Sequence, residues 1–239
     1  MEIKKNYKII IASICLAVSL GFCLYNAAMF IVLPNEEEAK VALEEAKMEL
    51  EASRNLENCD EATKTLNRKG FEEFLGNFMK EANKGFSEKQ AALYALSFNS
   101  STRGLKAVND QFGHLAGNEL PVAFVDCLRK VFDDERFVFS RRSGSAFIIL
   151  DTNYAGKEDF ATRVKSLKKI WHDSPFKLND KVTLEKLALH AFALPFDAKN
   201  ETRSPEELAD FAYDEIKKVR DLASFTLSFD GDETPVTSD

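Results

Sequence analysis

Two short apolar runs, Arg136–Ser140 and Ala146–Asp151, are joined by Arg141-Arg142-Ser143-Gly144-Ser145. Aromatic and β-branched residues on both sides of a short, glycine-bearing loop predict an antiparallel hairpin. A lone hairpin is marginal in water, so it must join a wider sheet under an apolar cover. The flanking sequence supplies both. Ala91–Phe98 (AALYALSF) reads as a buried strand, and Leu184–Phe196 contains another at Leu187–Leu194, ending at Pro195. Leu115–Phe132 has helical periodicity with Pro121 in its first turns, where proline is tolerated. Phe160–Trp171 is a helix with a basic face. Upstream, Asp60-Glu61-Ala62-Thr63 reads as a helix start ahead of an apolar face of Leu66, Phe71, Phe74, Leu75, Phe78 and Met79. Downstream, Ser204-Pro205-Glu206-Glu207 combines a serine cap, a proline at the first position and acids in the first turn, for a helix to about Leu222. The order predicts an α+β domain, a ferredoxin-like or palm-type β-α-β-β-α-β core. Thr226–Asp239 is acidic, contains Gly and Pro, and is expected to be disordered.

The formal charge of −7 is uneven. Residues 36–58 and 226–239 are acidic, whereas 59–225 is balanced, so no basic nucleic-acid footprint is present. Ile9–Leu33 is a run of 25 uncharged residues, long enough to span a bilayer as a single-pass helix and too long for a signal-peptide core. Residues 1–8 form its basic flank. Lys4, Lys5 and Lys8 before the run and Glu36–Glu38 after it favour an extracytoplasmic globular domain. Within 34–58, Ala39, Leu43, Ala46, Leu50 and Ser53 recur at coiled-coil spacing. That segment reads either as a stalk pairing two copies or as a solvated spacer. Cys15, Cys23, Cys59 and Cys127 match no metal-ligand spacing.

The segment Leu105-Lys106-Ala107-Val108-Asn109-Asp110-Gln111-Phe112-Gly113-His114-Leu115-Ala116-Gly117-Asn118, lying ahead of a helix and a hairpin, resembles the nucleotide-binding segment of the diguanylate-cyclase (GGDEF) domain family. The loop Ser143-Gly144-Ser145-Ala146-Phe147 is similar to its signature, Gly-Gly-Asp/Glu-Glu-Phe. Asp60–Arg68 resembles the family's opening motif, and Ala209-Asp210-Phe211-Ala212 is a weaker echo near the end. The resemblance covers about Asp60 to Asp221, and implies a cytoplasmic domain in a bacterial inner membrane protein. That placement opposes the flanking charges, so the side stays open.

In active relatives, two facing domains each hold one GTP, and carboxylates ligate Mg²⁺ ions that offset the triphosphate charge. The resemblance puts the family's metal-binding acids at Ser101 and Ser145, its second signature acid at Ala146 and its guanine-binding aspartate at Asn118. All four are neutral here. Asn109, a guanine contact in the family, is kept. Lys106 also matches, and Lys217 stands at a phosphate-binding lysine, but Asp221 replaces an arginine and Asp134 and Phe137 fill the product-inhibition motif. Hard divalent cations want anionic oxygens. An aspartate accepts both guanine donors through bonds worth ~1.5–3 kcal/mol each, whereas an asparagine has one acceptor oxygen. The resemblance therefore implies a membrane-anchored, catalytically inactive signalling or scaffolding module, with no Mg²⁺ or other cofactor. Its partner would be an unidentified protein or a second copy. A GTP or cyclic di-GMP sensor is the alternative, and an active cyclase the remaining one.

Overall fold

The computed structural model describes residues 57–85, 90–100, 104–179, 182–219, 225–232 and 234–238, with residues 40, 41, 43–48 and 53 ahead of them. The expected span Ile9–Leu33, most of the stalk, Ser101 and Asp221 lie outside the described residues. Among the described residues no helix is long and apolar enough to cross a membrane. Residues 43–48 are helical, and Leu43 and Met48 are exposed.

From residue 68 onward the elements are α1 (Arg68–Lys84), β1 (Gln90–Ser97), α2 (Leu105–Phe112), α3 (His114–Val131), β2 (Phe137–Arg141), β3 (Ala146–Asp151), α4 (Lys157–Trp171), β4 (Phe176–Asn179), β5 (Val182–Leu184), β6 (Leu189–Asp197), α5 (Pro205–Val219), β7 (Phe225–Phe229) and β8 (Val236–Ser238). Among the described residues, six strands form one sheet in the order β2-β3-β1-β6-β7-β8, and β4 with β5 forms a separate ribbon. Every neighbouring pair in the large sheet is antiparallel except β6 with β7.

β1 is central and has no solvent face. Ala92, Tyr94 and Leu96 join Phe147 and Ile149 of β3, Leu120 and Phe124 of α3, and Phe160 and Trp171 of α4 in one cluster. Ala91, Leu93 and Ala95 join Phe71 and Leu75 of α1 and Leu208 and Ala212 of α5 in the other. The strand's apolar run is therefore the ordinary two-residue alternation buried on both sides. The α+β class and the strand–helix–hairpin–helix–strand core follow the sequence pattern, with helices on both faces.

Several local expectations are corrected. Asp60–Thr63 starts a turn, not a helix: the Asp60 carboxylate accepts from the Thr63 amide at 2.9 Å and the Thr63 hydroxyl at 2.7 Å. The helix begins at Arg68, where Asn67 accepts from the Gly70 amide at 3.0 Å. Pro121 falls at the end of the second turn of α3, beyond the residues whose amides have no helical partner, so its missing donor would have addressed Gly117. β6 continues through Pro195, which sits opposite Ala92, because β7 ends beside Ala193 and asks for no donor there. The cap of α5 is as expected and reciprocal: the Ser204 amide donates to Glu207 Oε2 at 2.7 Å and the Glu207 amide to Ser204 Oγ at 3.2 Å.

The largest correction is the tail. Instead of a disordered segment from Thr226, Phe225–Phe229 is a strand that extends the sheet, and β8 pairs with it. Thr226 and Leu227 are buried, and Thr226 Oγ1 lies 3.0 Å from His190 Nδ1. A domain boundary at 225/226 would cut this strand. Leu227→Ala is expected to lower stability by about 2–5 kcal/mol in urea denaturation, the cost of emptying a core position. A disordered tail would leave the midpoint unchanged.

Candidate functional site

The hairpin loop is closed by its own backbone and anchored to its surroundings. The Arg142 and Ser143 amides both donate to the Ala146 carbonyl, at 2.8 and 3.2 Å. Phe98, just past β1, donates its amide to the Ser145 carbonyl at 3.1 Å. Gly144 is exposed at the tip, with its Cα close to Leu105 at the start of α2: an added Cβ would lie 3.2 Å from Leu105 Cδ2. Ser143 is half-buried, while Ser145, Ala146 and Phe147 are buried. The loop, the end of β1 and the start of α2 therefore meet at one edge of the domain.

Both loop arginines are engaged by acids of this same domain. Arg141 Nη1 donates to both Asp60 carboxylate oxygens at 3.2 Å, while its Nε and Nη2 reach the Ser143 and Gly144 carbonyls, each at 3.2 Å. The Arg142 side chain is 2% exposed and pairs with Glu72 of α1 at 2.7 Å and with Asp210 of α5. Arg68 joins the same acids, reaching Glu72 at 2.9 Å, Glu206 at 2.8 Å and Asp210 at 3.1 Å. Sequence reasoning missed this cluster. Its members are far apart in the chain, and only the oddity of an arginine beside a buried strand hints at it.

Burial raises the Asp60 carboxyl, but the Thr63 hydrogen bonds and the Arg141 guanidinium outweigh it and hold the group below the ordinary aspartate range.

At the α2–α3 corner, Gly113 has φ +85° and its amide donates to the Asn109 carbonyl at 2.9 Å. That conformation suits glycine. The Asn109 side chain lies directly on Gly117: a Cβ there would stand 1.7 Å from Asn109 Oδ1. Asn118 and Lys106 are exposed nearby in the chain. Leu115, Asn118, Glu119 and Val122 line a shallow depression along α3. Lys217 belongs to α5, which packs on the opposite sheet face from α2 and α3. It pairs with Asp214 at 2.6 Å and sits 4.3 Å from the centre of the Tyr213 ring. The structure thus brings the loop to the start of α2, packs Asn109 on Gly117 at the α2–α3 corner, and sets Lys217 in another layer.

Residues 57–220 match the profile of the family described as "Diguanylate cyclase, GGDEF domain". The chain belongs to the GGDEF domain family. Solved structures agree on the fold. The GGDEF domain of TpbB (YfiN) from Pseudomonas aeruginosa aligns at 22% identity with a TM-score of 0.59, over 72% of this chain and 93% of that one. The coiled coil and GGDEF domain of DgcB from Caulobacter crescentus, solved with c-di-GMP, aligns at 17% identity and 0.59, over 77% and 91%. The diguanylate cyclase SiaD from Pseudomonas aeruginosa, solved with its activator SiaC, aligns at 15% identity and 0.54, over 95% and 82%. No curated protein matches.

Two outcomes follow for this GGDEF domain. Gly117→Ala should destabilise it by about 1–3 kcal/mol, because Asn109 must vacate its position. In an Asn109→Ala background the same change should become neutral or gain about 0.5–1 kcal/mol, the usual helical preference for alanine. Denaturation of the four proteins reads this out. Asp60 adds stability above the ordinary aspartate pKa that is lost as pH falls through its lowered value, so Asp60→Asn should flatten the acid limb of a stability–pH profile measured down to about pH 3.

Proposed function

We propose that this GGDEF domain is a catalytically inactive signalling or scaffolding module that acts by protein–protein contact or dimerisation. One observation carries the reading. The loop where relatives organise metal and triphosphate has neutral residues at Ser145 and Ala146, and both of its arginines are already paired to acids. These residues do not fit a Mg²⁺ ion, which needs anionic oxygens in its shell. Asp60, the carboxylate bonded to the loop's arginine, is committed to Arg141 and Thr63. On this reading the loop contributes no group to phosphoryl transfer. Of the two lysines that match the family, Lys217 is paired to Asp214 and Lys106 is exposed on α2.

The rest of the proposal follows the sequence. Ile9–Leu33 anchors the chain in the bacterial inner membrane, with the side of the domain open. Residues 34–58 pair two copies, a role that the exposed Leu43 suits. The SiaD–SiaC complex supports a protein partner by analogy. The second reading is a nucleotide sensor. It is favoured by Asn109, whose side chain lies against Gly117, and by the c-di-GMP bound to DgcB.

The test is a thermal-shift titration of residues 56–239, a fragment that contains both hydrophobic clusters entire. GTP and cyclic di-GMP are each added with and without Mg²⁺. No shift is expected. A ligand at 100 times its Kd would add ~2.7 kcal/mol, a shift of a few degrees, and that result would replace the scaffold reading with the sensor. Metal-dependent product would establish an enzyme.

A further inference from the structure

The chain enters the domain along residues 57–60, and this strip is bound tightly to the start of α1. The Asn67 amide donates to the Asn58 carbonyl at 2.8 Å, and the Asn67 side-chain amide donates to the Glu57 carbonyl at 2.6 Å. Asn58 Nδ2 reaches Glu73 at 3.0 Å, and Lys69 pairs with Glu57 at 3.0 Å. The contact is so close that a Cβ on Gly70 would lie 2.2 Å from the Asn58 carbonyl oxygen. The strip and the first turns of α1 therefore form one body.

That body holds the hairpin loop at two adjacent residues. Asp60 takes Arg141, and Glu72 takes the buried Arg142. A backbone tie runs beside them: the Leu66 amide donates to the Phe139 carbonyl at 3.0 Å and the Arg141 amide to the Leu66 carbonyl at 2.8 Å. Asp210 completes the set by fastening Arg142 to α5. On its other side, the loop meets the end of β1, where the Phe98 amide donates to the Ser145 carbonyl.

We propose that the loop Arg141–Ser145 is coupled to the incoming chain, so that a displacement of residues 57–60 moves the loop through the Asp60–Arg141 and Glu72–Arg142 pairs. The loop then reports at the domain's edge what happens upstream, whether or not any nucleotide binds. The Glu72–Arg142 pair is the stronger of the two ties, since a guanidinium that is 2% exposed loses stabilisation when either of its carboxylates moves away.

The experiment is amide hydrogen exchange on the full chain, comparing wild type, Arg142→Met and Asp60→Asn. Arg142→Met keeps the bulk and removes the charge. Asp60→Asn keeps the shape and weakens the pair from the far side. Each is expected to raise exchange by at least about tenfold in both 57–66 and 141–147, with α4 unchanged. Exchange that rises only at the substituted segment, or equally throughout the domain, overturns the coupling. If Arg142→Met does not fold, Glu72→Gln replaces it, with the same two outcomes.

Discussion

A strand with no solvent face fixes everything around it. β1 is paired on both edges, with β3 and β6, and covered on both faces. Its odd residues belong to one hydrophobic cluster and its even residues to the other, so a one-residue slip would exchange the two interiors. Tyr94 cannot trade places with Leu93 or Ala95. It stacks on Phe160 at 4.2 Å, and its hydroxyl donates to Asp151 at 2.7 Å. The register of the central sheet, and with it the position of the hairpin, is held by that asymmetry between faces.

Polar groups in the interior are handled by pairing. Asp151 is fully buried, and takes hydrogen bonds from Tyr94 and from the Asn153 amide at 3.0 Å, with Arg136 3.5 Å away. Burial first, and then the Asp151 hydrogen bond and charge, drive the Tyr94 phenol far above its usual range, so it remains a donor. The loop arginines follow the same rule on a larger scale. The site resembling a catalytic loop is thereby organised like a structural joint, with charges that close on each other instead of facing outward.

Much of this was legible in the sequence because it rests on local pattern. The hairpin, β1, α3, α4 and the capping box of α5 each declare themselves within a few residues. What escaped depends on distant partners or on competing signals. Phe225-Thr226-Leu227-Ser228-Phe229 alternates as a strand should, but the acids that follow it mask the pattern. Asp60 does cap backbone donors, yet those of a turn, and its carboxylate also takes Arg141, some eighty residues on. α2 is short and ends at Gly113, so its periodicity never accumulates. The role of Arg142 was invisible because both of its acids lie about seventy residues away, on two different helices.

The pairing of β1 with β6 also has a kinetic meaning. Gln90 finds Asp197 across roughly a hundred intervening residues, so the central strand must wait for a late-arriving neighbour. Until it arrives, Ala91–Phe98 is an uncharged apolar segment with an unpaired edge, the kind that recruits other chains. The strand that gives the finished domain its order is, during synthesis, the part most in need of protection.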